Sequence, residues 1–93
     1  MRDVLALLSR EAPKLGSSFR QAVENGDCKG ARRAAHTLKS NCRQFDLIAW
    51  SEFAESLEEL AQTASPTELQ AFVPAVVEAC NAIADWAVKL LES

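Results

Sequence analysis

The spacing of the apolar residues constrains this chain more than any other feature. Along its whole length they recur every three or four positions, and nowhere do they alternate with polar ones. A period near 3.6 places such residues on one side of a helix, whereas a half-buried strand needs a period of two. The pattern admits helices and leaves no segment for a sheet.

Capping and breaking residues divide the pattern. Asp3 can cap a short first helix carrying Val4, Leu5 and Leu8. Pro13 either interrupts that helix or opens the next, because at a first turn its missing N–H costs nothing. A second helix then runs to Glu24 with Leu15, Phe19, Ala22 and Val23 inward, and Asn25-Gly26-Asp27 is a stop followed by a new N-cap. A third helix spans Cys28 to Phe45. Asp46 reads as the N-cap of a fourth, which carries Leu47, Trp50, Leu57, Leu60 and Ala61 inward and Glu52, Glu55, Glu58 and Glu59 on a solvated outer face. Ser65-Pro66-Thr67-Glu68 is a capping box with proline at the first helical position. The last helix carries Leu69, Phe72, Val76, Cys80, Ile83 and Leu90 among its inward residues, Trp86 stands beside that stripe, and Pro74 kinks or splits the helix. Four amphipathic helices with short links favour an antiparallel up-down-up-down four-helix bundle, all-α, with the short extra N-terminal helix as a lid on one end. Residues 1–93 form a single domain on this reading, near the small end of what one core supports.

The composition narrows the function. A net charge of −3 argues against general nucleic-acid binding, which goes with a basic domain. The three cysteines are widely spaced and form no C-x-x-C, so neither a disulfide framework nor a metal site is indicated. No apolar run approaches the roughly 20 residues that span a bilayer, and Met1-Arg2-Asp3 does not open a signal peptide, so a cytoplasmic protein without direct membrane insertion is expected.

Against this acidic background one helix stands out. On a wheel, Ala31, Ala34, Ala35, Leu38, Cys42 and Phe45 gather on one side of the third helix. Lys29, Arg32, Arg33, His36, Lys39, Ser40 and Arg43 fall on the other. His36 is the only histidine of the chain, and five of its ten basic residues lie in this segment, with no acid among them. No Gly-rich phosphate loop, H-E-x-x-H or G-x-S-x-G motif occurs, so a self-contained enzyme is not indicated. A single exposed imidazole can still act as a nucleophile when a partner brings the electrophile, since it titrates near neutrality and offers a ring lone pair. Surrounding cations disfavour the imidazolium and would stabilise an anionic group once attached, with Lys39 and Arg43 on one side of the ring and Arg32 and Arg33 on the other. Equally, an exposed histidine on a basic helix face can be an ordinary surface residue.

The run A-H-T-L-K-S from Ala35, with Leu57-Glu58 at 21 and 22 residues past His36, resembles the histidine-containing phosphotransfer (HPt) domain family. That family shows A-H-x-L-K-G/S and an L-E pair on the next helix, and the upstream pattern Phe19, Gly26-Asp27, Ala31 and Ala34-Ala35 is also similar to it. The resemblance implies a helical bundle whose histidine accepts a phosphoryl group from the aspartate of a response-regulator receiver domain and passes it to another receiver. It implies His36 as phosphoacceptor through Nε2, Lys39 as the residue that stabilises the phosphoryl group, and Leu38 as an inward anchor. Ser40 takes the small-residue position where a receiver approaches, and Arg32, Arg33 and Arg43 form a partner-facing rim. Such domains need no cofactor of their own, because Mg²⁺ and the catalytic groups belong to the receiver; the receivers can lie within or beside a hybrid sensor histidine kinase. One departure is Asp46, where the family usually has glycine. The alternative is a non-catalytic helical docking module that binds a signalling partner through the same basic face.

Overall fold

The computed structural model describes residues 2–93; Met1, with which the Met1-Arg2-Asp3 opening begins, lies outside them. The fold is all-helical. In chain order α1 spans Arg2–Glu24, α2 Cys28–Gln44, α3 Ile48–Thr63, α4 Pro66–Gln70 and α5 Val73–Glu92. α1 packs on α5 and on α2, and α2 packs on α3. α1 and α5 run antiparallel: the Arg2 guanidinium donates to the Leu91 carbonyl, and Gly16 lies against Cys80. A Cβ at Gly16 would sit 3.2 Å from that of Cys80, so the absent side chain lets these helices approach closely.

The separate short N-terminal helix expected from Pro13 does not exist, since α1 passes through that proline unbroken. A proline inside a helix costs about 3 kcal/mol. The opposing term is the stripe of buried residues Leu5, Leu8, Ala12, Gly16, Phe19 and Val23, which keeps its phase across position 13 and stays in the core only if the helix continues. Pro74 acts differently. Helix continuity fails at Ala71-Phe72, and Pro74 occupies the first turn of α5, where it forfeits no helical bond. The buried stripe Leu69, Val73, Val76 and Cys80 keeps its three- or four-residue spacing across the break, and Phe72, expected inward, lies at its edge and is 39 % exposed. Leu90, also expected inward, is exposed on the last turn, where Arg2 of α1 donates to the neighbouring Leu91 carbonyl.

The two tight turns use one device. After α1, the Gly26 N–H donates to the Val23 carbonyl and the Asp27 N–H to the Ala22 carbonyl, with Gly26 at φ 71°. After α2, the Asp46 N–H donates to the Arg43 carbonyl and the Leu47 N–H to the Cys42 carbonyl, with Asp46 at φ 57°. Both are Schellman closures, which need a residue in the left-handed region. Asp46 therefore ends α2 and does not cap α3: Leu47 is the N-cap, without a side-chain bond. Asp27 does cap α2, its carboxylate accepting from the Gly30 N–H, and the Ser65–Glu68 capping box forms as the sequence predicts.

The buried residues of all five helices form one cluster, with Phe19, Leu38, Leu69, Val76 and Ile83 among its largest members. Trp86 is half-buried and meets the Phe45 ring edge-on at 5.9 Å. Cys42 and Cys80 are buried free thiols, and burial pushes them up to about 11 and about 12. Among the described residues no helix is long and apolar enough to cross a membrane.

Candidate functional site

The core-facing residues of α2 decide where its polar ones point. Ala34, Ala35 and Leu38 are buried and hold the helix by one side, which turns His36 outward with 58 % of its side chain exposed. Lys39, one turn on, lies on the flank towards α3. On α3 the buried Leu57 does the same work, and Glu58, the next residue, projects at that flank of α2. Residues three apart on a helix are neighbours, so one carboxylate can serve both partners. Glu58 Oε2 lies 2.8 Å from His36 Nδ1, and Glu58 Oε1 accepts from Lys39 Nζ at 2.6 Å.

The electrostatics settle which atom holds the ring proton. The hydrogen bond from Lys39 holds the Glu58 carboxyl below the ordinary carboxylate range; partial burial acts against this, and the hydrogen bond to His36 adds to the lowering. An ionised carboxylate has no proton to give, so Nδ1 must be the donor in the His36–Glu58 bond. With the Nδ1 position committed, the lone pair of the neutral ring is on Nε2.

Glu58 is the residue that the helical pattern misplaced. Within α2 only cations surround His36, and the imidazole would have no carboxylate partner; folding brings one from α3. The face expected to be uniformly solvated divides into exposed Glu52 and Glu59 and half-buried Glu55 and Glu58, both ion-paired to α2. The L-E pair 21 and 22 residues past His36 was the available signal, hidden among four glutamates at similar spacing.

The remaining sequence-predicted residues separate into two sides. Arg32 and Arg33 are exposed and, with Lys29, His36 and Glu58, line an open cleft of about 370 Å³. Among the described residues Lys29, Arg32 and Arg33 form no ion pair. Towards the C-terminal end of α2, Lys39 is only 14 % exposed and held by Glu58, and Arg43 reaches Glu55 on α3 at 3.8 Å. Ser40 is exposed one turn past His36 and makes no side-chain bond among the described residues. On the α1 side of α2, Thr37 and Asn41 border a groove of about 230 Å³ whose apolar wall is Val4, Leu7, Leu8, Leu15 and Phe45.

Fold and site together define a helical domain that offers one outward imidazole, its Nδ1 held and its Nε2 left open. The sequence model of the Hpt domain family matches residues 3–86, and the chain belongs to that family. Membership places it among the phosphotransfer domains of two-component signalling, which interact with receiver domains. No curated protein and no solved structure matches the chain.

Proposed function

We propose that this chain is an intermediate of a phosphorelay, in which Nε2 of His36 takes a phosphoryl group from the aspartyl phosphate of one receiver and yields it to the aspartate of another. The Nε2 lone pair forms the N–P bond while the P–O bond to the aspartate breaks and its electron pair returns to the carboxylate; the second transfer reverses these roles. The observation that carries this is the exposed ring with Nδ1 fixed by Glu58. Attack from Nε2 leaves positive charge on the ring, and the carboxylate on Nδ1–H stabilises it without any group having to move. Lys39 keeps that carboxylate ionised and adds its own positive charge beside the phosphorylated ring.

Arg32, Arg33, Ser40 and Arg43 face the partner on this reading, and the apolar groove between α1 and α2 gives a receiver a further surface on the Thr37–Asn41 side of α2. The receiver supplies Mg²⁺ and the acid–base groups, so the chain acts as a carrier within a single domain. The antiparallel pairing of α1 with α5 and the short turns either side of α2 support an up-down-up-down bundle in which α4 and α5 together make the fourth leg. The absence of any membrane-crossing helix among the described residues accords with a cytoplasmic site of action.

The test is transfer of ³²P from a panel of phosphorylated receivers. Acid-labile, base-stable label is expected on the wild-type chain and none on His36→Gln, with the helical circular dichroism unchanged. Label on the variant removes His36 from the mechanism. Tight receiver binding without label on either chain favours the docking module.

A further inference from the structure

We infer that the cleft on the N-terminal side of His36 is the seat of the phosphoryl group, with the Arg32 and Arg33 guanidiniums as its oxygen ligands and Lys29 behind them. The inference rests on the phosphotransfer role of His36 and assigns the direct oxygen contacts to residues other than Lys39. Side chains on a helix lean towards its N-terminus, so the His36 ring lies over the turn that carries Arg32 and Arg33. Those two and Lys29 line one cleft with the ring and have no ion-pair partner among the described residues. The cations on the other side are engaged: Lys39 by Glu58 at 2.6 Å, Arg43 by Glu55. Glu58 also forms part of the cleft wall, and its negative charge repels phosphoryl oxygens towards the arginine side.

A phosphoryl group at neutral pH carries close to two negative charges, and guanidinium forks match its oxygens in geometry as well as sign. Breaking a P–N bond pushes electrons from those oxygens towards phosphorus in a loose transition state. Guanidiniums bonded to the oxygens oppose that push. The seat therefore lengthens the life of the phosphohistidine between receivers.

Two measurements test this, one of them independent of phosphorylation. In the first, unmodified protein at low ionic strength is titrated with inorganic phosphate and followed by NMR of the arginine Nε–H groups. Arg32 and Arg33 are expected to shift saturably, in K39Q as in the wild type; shifts no larger than those from chloride at matched ionic strength overturn the seat. In the second, His36 is labelled with phosphoramidate, whose P–N bond breaks to release ammonia as the Nε2–P bond forms. Hydrolysis of the labelled chain is expected to be about tenfold faster in R32Q/R33Q, the scale of one or two charge-assisted hydrogen bonds discounted for exposure. The charge-matched K14Q/R20Q on α1 should change it less than about twofold. Equal lifetimes in R32Q/R33Q and wild type, or a larger effect of K39Q than of R32Q/R33Q, overturn the proposal. Should neither phosphoramidate nor any receiver label His36, the phosphotransfer role itself fails, while the phosphate titration still decides whether the cleft holds the anion.

Discussion

Glu58→Gln exposes the logic of the site because it keeps the shape and removes one acceptor. The carboxylate presents an oxygen to Nδ1 at 2.8 Å and another to Nζ at 2.6 Å; an amide of the same size has one oxygen and one NH₂. If the amide oxygen takes the ammonium, the NH₂ faces Nδ1, which must then offer a lone pair, and the ring proton moves to Nε2. If the oxygen takes Nδ1–H, the NH₂ faces the ammonium and Lys39 is driven into solvent. The lysine bond is the better protected of the two, its partners being 14 % and 18 % exposed against 58 % for His36. It is worth about 1–1.5 kcal/mol, and the histidine bond about 0.5 kcal/mol. The first arrangement therefore prevails, and the nucleophilic tautomer is depleted.

A bias of about 0.5–1 kcal/mol, the difference between the two bonds, is a factor of about two to five, so single-turnover transfer from a phosphorylated receiver should slow by about two- to fivefold. Long-range ¹H–¹⁵N spectra of the His36 ring should show the protonated nitrogen change from Nδ1 to Nε2. Stability should fall by about 1–2 kcal/mol, or about 4–16 °C in Tm for a domain of this size. A variant with the wild-type tautomer and the wild-type transfer rate would refute the mechanism, and a lowered Tm alone would leave Glu58 as no more than a strut between α2 and α3.

Other perturbations follow from the same structure. The folded chain holds Glu58 below its ordinary 4.5, so its stabilising contribution is complete above that value and is lost as pH falls through the folded one; the Tm difference between wild type and Glu58→Gln should be constant from neutrality to about pH 5 and close below it, and an undiminished gap in strong acid counts against the ion pair. The thiols of Cys42 and Cys80 are raised from 9.0 to about 11 and about 12, so they favour the folded state fully below pH 9.0 and progressively less as pH rises through the folded values; C42A/C80A should flatten that alkaline decline in thermal melts. Asp46→Gly frees a left-handed position at φ 57°, and after the greater unfolded freedom of glycine is subtracted should raise Tm by about 2–4 °C, a lower Tm contradicting the turn assignment. Ser65→Ala removes the capping box and should cost about 1 kcal/mol by denaturant unfolding.

What the sequence made legible was whatever depends on near neighbours. The limits of α2, its N-cap at Asp27, the capping box at Ser65 and the outward direction of His36 all arise within a turn or two of helix. What escaped depends on residues far apart in the chain. Pro13 carries a breaking signal that only the packing of Leu5, Leu8 and Phe19 on other helices can override. Asp46 looks like an N-cap by residue type, yet its backbone serves the closure of the preceding helix, a role visible only in φ and in the bonds to Arg43 and Cys42. Glu58 differs from Glu59 by about 100° of helix rotation, which decides between bridging two residues of α2 and facing water.

That rotation makes the chemistry a consequence of packing. Lys39 and Glu58 each follow a buried leucine, Leu38 and Leu57, and those two side chains set the register of α2 against α3. The imidazole itself is largely exposed, and among the described residues Glu58 is the hydrogen-bond partner that selects its tautomer. On the proposed relay role, a histidine that receives its phosphoryl group from a receiver gains from having that selection made in advance. Truncating Leu57 to Ala should therefore do more than cost about 2–5 kcal/mol of core stability. By loosening the register it should mix the two His36 tautomers in molecules that are still folded, which the ring ¹⁵N shifts report directly; a folded Leu57→Ala protein that retains a pure Nδ1–H ring would show that the tautomer is set by something other than the α2–α3 register.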